Sequence, residues 1–290
     1  MGVPLSQTYG KQKSPPKTTT DLKLEVTRVT GIWPRKVYVQ WLLRNPTEKD
    51  GYTFSIHRSG SAEGPWTELT STLVDTYFFV DDGFPAPCDL SEPGLFSLRR
   101  SIYYKVTVTH VTDGTVEVVK KLEPGLDRRR AGIVRKLRRD ARVVLRKGSG
   151  TEVAILKRRW WGEPCGCTTK TGQITRSHCR VCFGTGIISG YWDPVYGFAT
   201  RSSAPVDERT SSQGNVETHI LQVKMYYIPQ VAAQDILVFM RDNKRYIVDI
   251  PITTEIHTVE VHQELQVSEL SRSSREYNIP VDNWRDPPWF

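Results

Sequence analysis

Residues 165–182 read Cys-Gly-Cys-Thr-Thr-Lys-Thr-Gly-Gln-Ile-Thr-Arg-Ser-His-Cys-Arg-Val-Cys. Four of the chain's five cysteines fall within these eighteen residues, as two close pairs separated by eleven residues. Each pair offers two thiolates from one tight turn, and the intervening loop brings the turns together, as a tetrahedral zinc requires. Cys165, Cys167, Cys179 and Cys182 are therefore the candidate ligands of one structural zinc per chain. Four thiolates close the shell and leave no position for substrate or water, so the metal is expected to be structural rather than catalytic. Gly166, Gly184 and Gly186 stand where such turns need them. Three other readings stay open: two disulfides formed in an oxidising compartment, a redox dithiol at Cys179–Cys182, and His178 in place of one cysteine. No βαβ pattern surrounds the second pair to favour the dithiol. Cys88 lies far away and reads as an unpaired thiol.

N-terminal to this module the charge is concentrated. The 290-residue chain carries 40 basic and 32 acidic residues, a net charge of +8. Ten of the basic residues but only two of the acidic ones lie between Leu126 and Lys147, so the remainder is balanced. That is a local patch directed at one partner, not a generally basic protein. Val134, Leu137, Ala141 and Val144, with Leu145 alongside, recur at steps of three and four, which predicts one amphipathic helix over 125–149. Asp127 is placed to cap it, and Gly148 and Gly150 to end it. Its solvent face would be almost wholly cationic. Like charges at i, i+4 cost a few tenths of a kcal/mol each, which an acidic partner, DNA phosphate or protein carboxylate, would offset. Arg128, Arg129, Arg130, Arg135, Lys136, Arg138, Arg139, Arg142 and Arg146 are the candidate contacts. Arginine outnumbers lysine eight to two here, which suits bidentate recognition of either anion.

Further out, both flanks read as β, so the fold class is mainly β. Residues 1–20 are polar and proline-bearing, an extended arm. In 21–124, Leu22, Leu24 and Val26 alternate, as do Val37, Val39 and Trp41. Further runs at Tyr52–His57, Thr76–Val80, Ile102–His110 and Val116–Leu122 are separated by turn residues, predicting a β-sandwich. Trp41 on an early strand, RSGSAEGPWTEL at 58–69, the Asp81-Asp82 turn and the late strand Ile102–Val106 resemble fibronectin type III and immunoglobulin-like modules. Residues 83–98 would be an inserted loop. A zinc-binding module is expected over 150–192, with Trp160 and Trp161 packed under the metal loop. A small antiparallel β-barrel follows over 193–280, with strands at Glu217–Tyr227, Asp235–Met240, Arg245–Ile250 and His257–Glu264. Asp242-Asn243 is its hairpin turn, and 201–216 a long polar loop. Residues 281–290, with Pro287, Pro288 and three aromatics, form an extended tail suited to docking on a neighbouring chain. No apolar run is long enough to span a bilayer, and the first residues carry no signal-peptide pattern, so no membrane partner is expected.

From the basic helix to about Tyr277 the chain resembles the neck proteins of tailed bacteriophages, specifically the head-closure or stopper component. The resemblance rests on the leading helix, the cysteine module with CRVCFGTGIISGYW, and the barrel. In the barrel the pieces are Asp235-Ile-Leu-Val-Phe239, Asn243-Lys-Arg-Tyr-Ile-Val-Asp249, HTVEVHQELQVSEL and Glu276-Tyr-Asn-Ile-Pro280. It implies a structural virion protein, made in the host cytoplasm and placed at the head–tail junction. Such a protein forms a ring of six or twelve copies around the DNA channel. Its partners would be portal or adaptor on one side and a tail-completion protein on the other, with packaged DNA inside the channel. A reducing site of synthesis agrees with zinc over disulfides.

Three rival classes remain. A zinc-dependent nucleic-acid-binding protein would also combine a cysteine ribbon with a basic helix, although the zinc loop itself carries only Lys170, Arg176 and Arg180. Cys179-Arg-Val-Cys-Phe-Gly-Thr-Gly186 is similar to the repeats of J-domain co-chaperones, but one copy stands where those proteins have several. No Walker loop, nucleophile elbow, HExxH or paired-carboxylate pattern points to an enzyme.

Overall fold

The period-two pattern of the N-terminal third becomes two antiparallel sheets in the computed structural model. The structure describes residues 22–32, 36–46, 51–83, 102–122, 128–169, 174–175, 179–203, 207–211, 214–218, 220–256, 259–281 and 284–287. Seven strands come first: β1 (Lys23–Ile32), β2 (Lys36–Arg44), β3 (Thr53–Ser59), β4 (Thr67–Val74), β5 (Phe78–Asp81), β6 (Tyr103–His110) and β7 (Gly114–Lys121). They form sheets of order β1-β2-β5 and β4-β3-β6-β7. The inward residues of both sheets, including Val26, Trp41, Phe54, Ile56, Tyr104 and Val106, make one core. Trp41 and Phe54 meet across it with ring centroids 5.3 Å apart. The expected sandwich is present. Buried Asp81 ties its sheets together, accepting from Tyr104 Oη and Arg58 Nη1, each at 2.7 Å. Sequence reading missed β4, because Thr67–Val74 is an edge strand that turns only Leu69 and Leu73, both half-buried, toward the core and is otherwise polar before Val74. The arm, Cys88 and nearly all of the 83–98 insertion lie outside the described residues.

The predicted helix is α1 (Arg128–Val143), followed by a π-helical turn at Val144–Gly148. Val134 is buried as expected, but Val144 is 54% exposed and Leu145 takes the inward place. A π turn admits one extra residue, which rotates the apolar stripe by a position. Gly150 follows because a Cβ there would lie 1.9 Å from the Leu145 carbonyl oxygen.

Eight further strands follow: β8 (Thr151–Leu156), β9 (Val195–Ser203), β10 (Asp207–Ser211), β11 (Gly214–Thr218), β12 (Ile220–Tyr226), β13 (Ile236–Phe239), β14 (Lys244–Ile256) and β15 (Val259–Glu269). Six close a barrel of order β12-β15-β14-β13-β8-β9, sealed by β9 pairing with β12. Its interior is filled by Val153, Ile155, Val223, Leu237, Phe239 and neighbours. Three sequence expectations change here. The barrel starts at Thr151, not near 193, because the buried run Val153–Leu156 pairs with both β9 and β13. The cysteine module is thus an insertion between two adjacent barrel strands. The 201–216 segment is not a loop: β9 runs to Ser203, and β10 and β11 form a hairpin from Asp207↔Thr218 to Ser211↔Gly214. Trp284, expected in a tail for a neighbour, packs on its own barrel, with its ring centroid 5.0 Å from Phe198 and 5.5 Å from Tyr196.

Two buried ion and hydrogen-bond clusters hold the barrel's ends. Asp235, 1% exposed, accepts from Lys157 Nζ (2.8 Å) and from the backbone N–H groups of Arg158 (2.9 Å) and Ala232 (2.7 Å). It fixes the point where the chain leaves β8 for the module. Arg245 Nη2 donates to the Ile279 carbonyl at 2.9 Å, and Nη1 to that of Glu276, pinning the last helical turn.

One residue joins sandwich, helix and barrel. Arg138 is 2% exposed. Its Nη1 donates to the Gly31 carbonyl (3.0 Å), its Nη2 to Thr30 Oγ1 (3.3 Å) and its Nε to the Glu260 carbonyl (2.7 Å). The guanidinium stacks 3.8 Å from the Tyr227 ring centroid, and Tyr227 Oη donates to the same Gly31 carbonyl at 2.7 Å. Nearby, Arg28 donates to the Tyr227 carbonyl at 2.6 Å and pairs with Glu260. Arg138 was expected among the external contacts. It is instead an internal clamp, because it falls one helical turn beyond Val134 on the face turned toward the domains.

Candidate metal centre and basic helix

The module begins where β8 ends and returns through the bridges Arg158↔Tyr191, Pro164↔Ile187 and Thr168↔Ile174. Hydrogen-bonded turns shape both cysteine pairs. Thr168 N–H donates to the Cys165 carbonyl (2.8 Å), Phe183 N–H to that of Cys179 (3.1 Å), and Thr185 N–H to that of Cys182 (2.9 Å). Cys165 N–H reaches across to the Gly186 carbonyl at 2.8 Å, bringing the two turns together. The chain then turns back at Gly190, φ +51°, where a Cβ would lie 2.5 Å from the Cys182 carbonyl oxygen. Of the glycines singled out earlier, Gly184 and Gly186 adopt left-handed backbone conformations, and Gly166 does not.

All four sulfurs lie within 4.8 Å of one another. Cys165 Sγ is 3.6 Å from Cys179 Sγ, and Cys167 Sγ is 3.4 Å from Cys182 Sγ. A tetrahedron with metal–sulfur bonds of about 2.3 Å has edges of about 3.8 Å, whereas a disulfide needs about 2.05 Å. The cysteines are unbonded thiols, and their spacing fits a tetrahedral ion. The four clustered cysteines can therefore hold a metal such as zinc. Among the described residues this is the one group of three or more His, Cys, Asp or Glu with that ability. His178 lies outside the described residues.

The backbone prepares one ligand. The N–H groups of Cys182 first, then Val181, lower the Cys179 thiol to about 6. Burial first, then the neighbouring thiols, pushes the Cys167 thiol up to about 12. Without a cation the cluster resists full ionisation; a divalent ion reverses that sign for every coordinating thiol. In the metal-free chain at pH 7, iodoacetamide is therefore expected to label Cys179 well before Cys167, as read by peptide mass mapping. Loading with zinc should suppress both. Equal labelling rates, or labelling indifferent to zinc, would contradict this picture.

The tryptophans beside the module do not pack under the metal loop. Trp161 enters the sandwich core, edge-on to Tyr52 (5.3 Å) and Trp192 (5.4 Å). Trp160 is 55% exposed, with the Arg158 guanidinium 4.6 Å from its ring centroid.

The remaining basic-helix candidates divide by position. Arg129, Arg130, Lys136, Arg139 and Arg146 are exposed, and Arg135 and Arg142 are half-buried. The Arg128 side chain lies outside the described residues. Arg146 stands 3.7 Å from Asp286. Arg135, Lys136 and Arg139 border a shallow groove whose floor includes Gly132 and Val143. Ile133, Val143 and Val144 are also exposed on this helix, so its outward surface is mixed basic and apolar, which periodicity alone did not predict. No helix among the described residues is long and apolar enough to cross a membrane.

No family model matches the chain, and no curated protein is detectably similar to it.

Proposed function

We propose that the chain is a non-catalytic structural protein of a tailed-phage neck. It assembles as a ring, between portal or adaptor and the tail-completion protein, around the DNA channel. Zinc, one per chain, is held by Cys165, Cys167, Cys179 and Cys182 and has a structural role. The observation that carries the assembly reading is the outward surface of α1. Cations at Arg129, Lys136 and Arg139 lie among the exposed apolar side chains Ile133, Val143 and Val144. A face meant only for water has no use for three large aliphatics, and a purely phosphate-binding face gains little from them. An acidic protein surface with an apolar centre matches both components. The order of parts, a helix leading into a small closed barrel, supports the neck-protein reading.

The test is native mass spectrometry and electron microscopy of the chain alone and with its neck partners. The comparison variant carries Arg129→Glu, Lys136→Glu and Arg139→Glu. Rings by the parent chain and their loss in a variant that stays folded would support the proposal. Normal assembly by the variant would remove the helix from it. A monomer that instead binds duplex DNA tightly, with affinity falling steeply as salt rises, would favour the nucleic-acid-binding reading.

A further inference from the structure

Strand β14 changes its inward set midway. Val248, 1% exposed, fills the barrel opposite Val267. Regular pairing from there would set Ile250 opposite buried Leu265, on the inner face. The register instead shifts between Val248 and Ile250, so that Ile250 stands opposite Gln266, Pro251 opposite Leu265 and Ile252 opposite Glu264. A bulge re-aims side chains in this way, and here it puts two isoleucines on the outer face, 51% and 47% exposed. They project from that face about 6.6 Å apart. Strand β13 pairs with β14 only over Lys244–Ile247, so among the described residues 249–256 have a strand neighbour on one side alone.

Single exposed aliphatics need no explanation, but a pair aimed outward together marks a contact surface. Pro251 guards the open edge against pairing with another strand, which leaves the side-chain face as the means of contact. The charges around it are acidic. Asp249 and Glu255 are exposed, and Glu264, beside Ile252, is offset by Lys224 at 2.9 Å. The outward stripe of α1 is the converse. Arg129, Ile133, Lys136, Asp140 and Val143 recur at steps of four and three and so share one face. Arg139 stands alongside, and Gly132 leaves the groove beside Lys136. Each surface is apolar at its centre, and the two are opposite in charge. Both are exposed in the single chain, so neither covers the other.

We propose that the α1 face docks on the outer β14 face of a second copy of this chain. Ile250 and Ile252 enter the groove at Gly132, and Asp249 and Glu255 face Arg129, Lys136 and Arg139. Two different patches of one chain then meet head to tail, an arrangement that closes into a ring when the rotation between copies permits. The proposal rests on the reading of α1 as an assembly surface and adds the surface it meets. It is tested by sedimentation and native mass spectrometry of the full chain alone across a concentration series. The helix variant carries Arg129→Glu, Lys136→Glu and Arg139→Glu, and the strand variant Asp249→Lys and Glu255→Lys. Each should weaken self-association about tenfold or more, and the two combined should recover to within about threefold of the parent. Ile250→Ser with Ile252→Ser should weaken it with the charges intact. Unchanged denaturation midpoints show that all variants are folded. A parent that stays monomeric at every concentration reached would overturn the proposal. So would strand changes without effect on association, or a combined variant no better than its two components. Strand changes that abolish binding to portal or adaptor while self-association persists would assign the face to that partner and overturn it as well. Failure of the neck reading shows separately, as a chain that self-associates through these faces yet engages neither portal, adaptor nor tail-completion protein.

Discussion

Replacing Arg138 by alanine is expected to destabilise the chain by on the order of 3–5 kcal/mol, against changes within about 0.5 kcal/mol for Arg139→Ala. The two residues are adjacent in a run of like charges, and only their environments separate them. Arg139 is exposed on α1. Arg138 is enclosed, donating three hydrogen bonds and stacking on Tyr227. Truncation would strip the Gly31 and Glu260 carbonyls of a charged donor and leave a cavity where three parts of the fold meet. A loss of that size is a large share of the 5–15 kcal/mol that stabilises a typical domain. Chemical denaturation of both variants, followed by tryptophan fluorescence, decides the matter. Equal midpoints would show that Arg138 is not a clamp. Charge reversal at this position belongs in no test of assembly, because it would damage the folded chain before any partner is met.

The second large effect is expected at Cys182. Cys182→Ser should abolish zinc binding and open the module over 163–188, while the sandwich keeps its protection. The ends of the module are anchored by Trp161 and Trp192 in the sandwich core, but its middle has little to hold it otherwise. Its buried cluster consists of Cys165, Cys167 and Cys182, with Cys179 and Ile188 packed alongside. Structural zinc contributes about 10–16 kcal/mol in small peptides, far more than such a cluster could supply by burial. The barrel should survive too, since the module enters and leaves between β8 and β9, which pair directly from Thr151↔Ala199 to Ile155↔Val195. Hydrogen exchange read by mass spectrometry resolves the three regions in one experiment, and a strong chelator on the parent chain should reproduce the variant's pattern. Native-like protection across 163–188 in a metal-free variant would dismiss the structural metal.

Both effects touch the boundary between what local sequence encodes and what it does not. The sequence alone determined the strands of the sandwich other than the edge strand Thr67–Val74, because alternation on a half-buried sheet is a local pattern with period two. It determined the helix over most of its length from the 3.6-residue recurrence of Val134 and its partners. It determined the four-cysteine cluster as well, since metal-ligand spacing is set by turns a few residues long. The tertiary structure decided everything that depends on what faces what. It assigned Thr151–Leu156 to the barrel, because strand partners forty and eighty residues away cannot be read from a short apolar run. It turned 207–218 into a hairpin despite a polar composition, since a two-stranded ribbon needs backbone pairing and not an apolar core. It sent Trp161 into the sandwich and left Trp160 outside, and it drew Arg138 inward from a run of otherwise similar arginines. A periodic pattern says that one face of a helix is buried; only the packed neighbours, with Gly31, Glu260 and Tyr227 in place, decide which charged residue that face can satisfy.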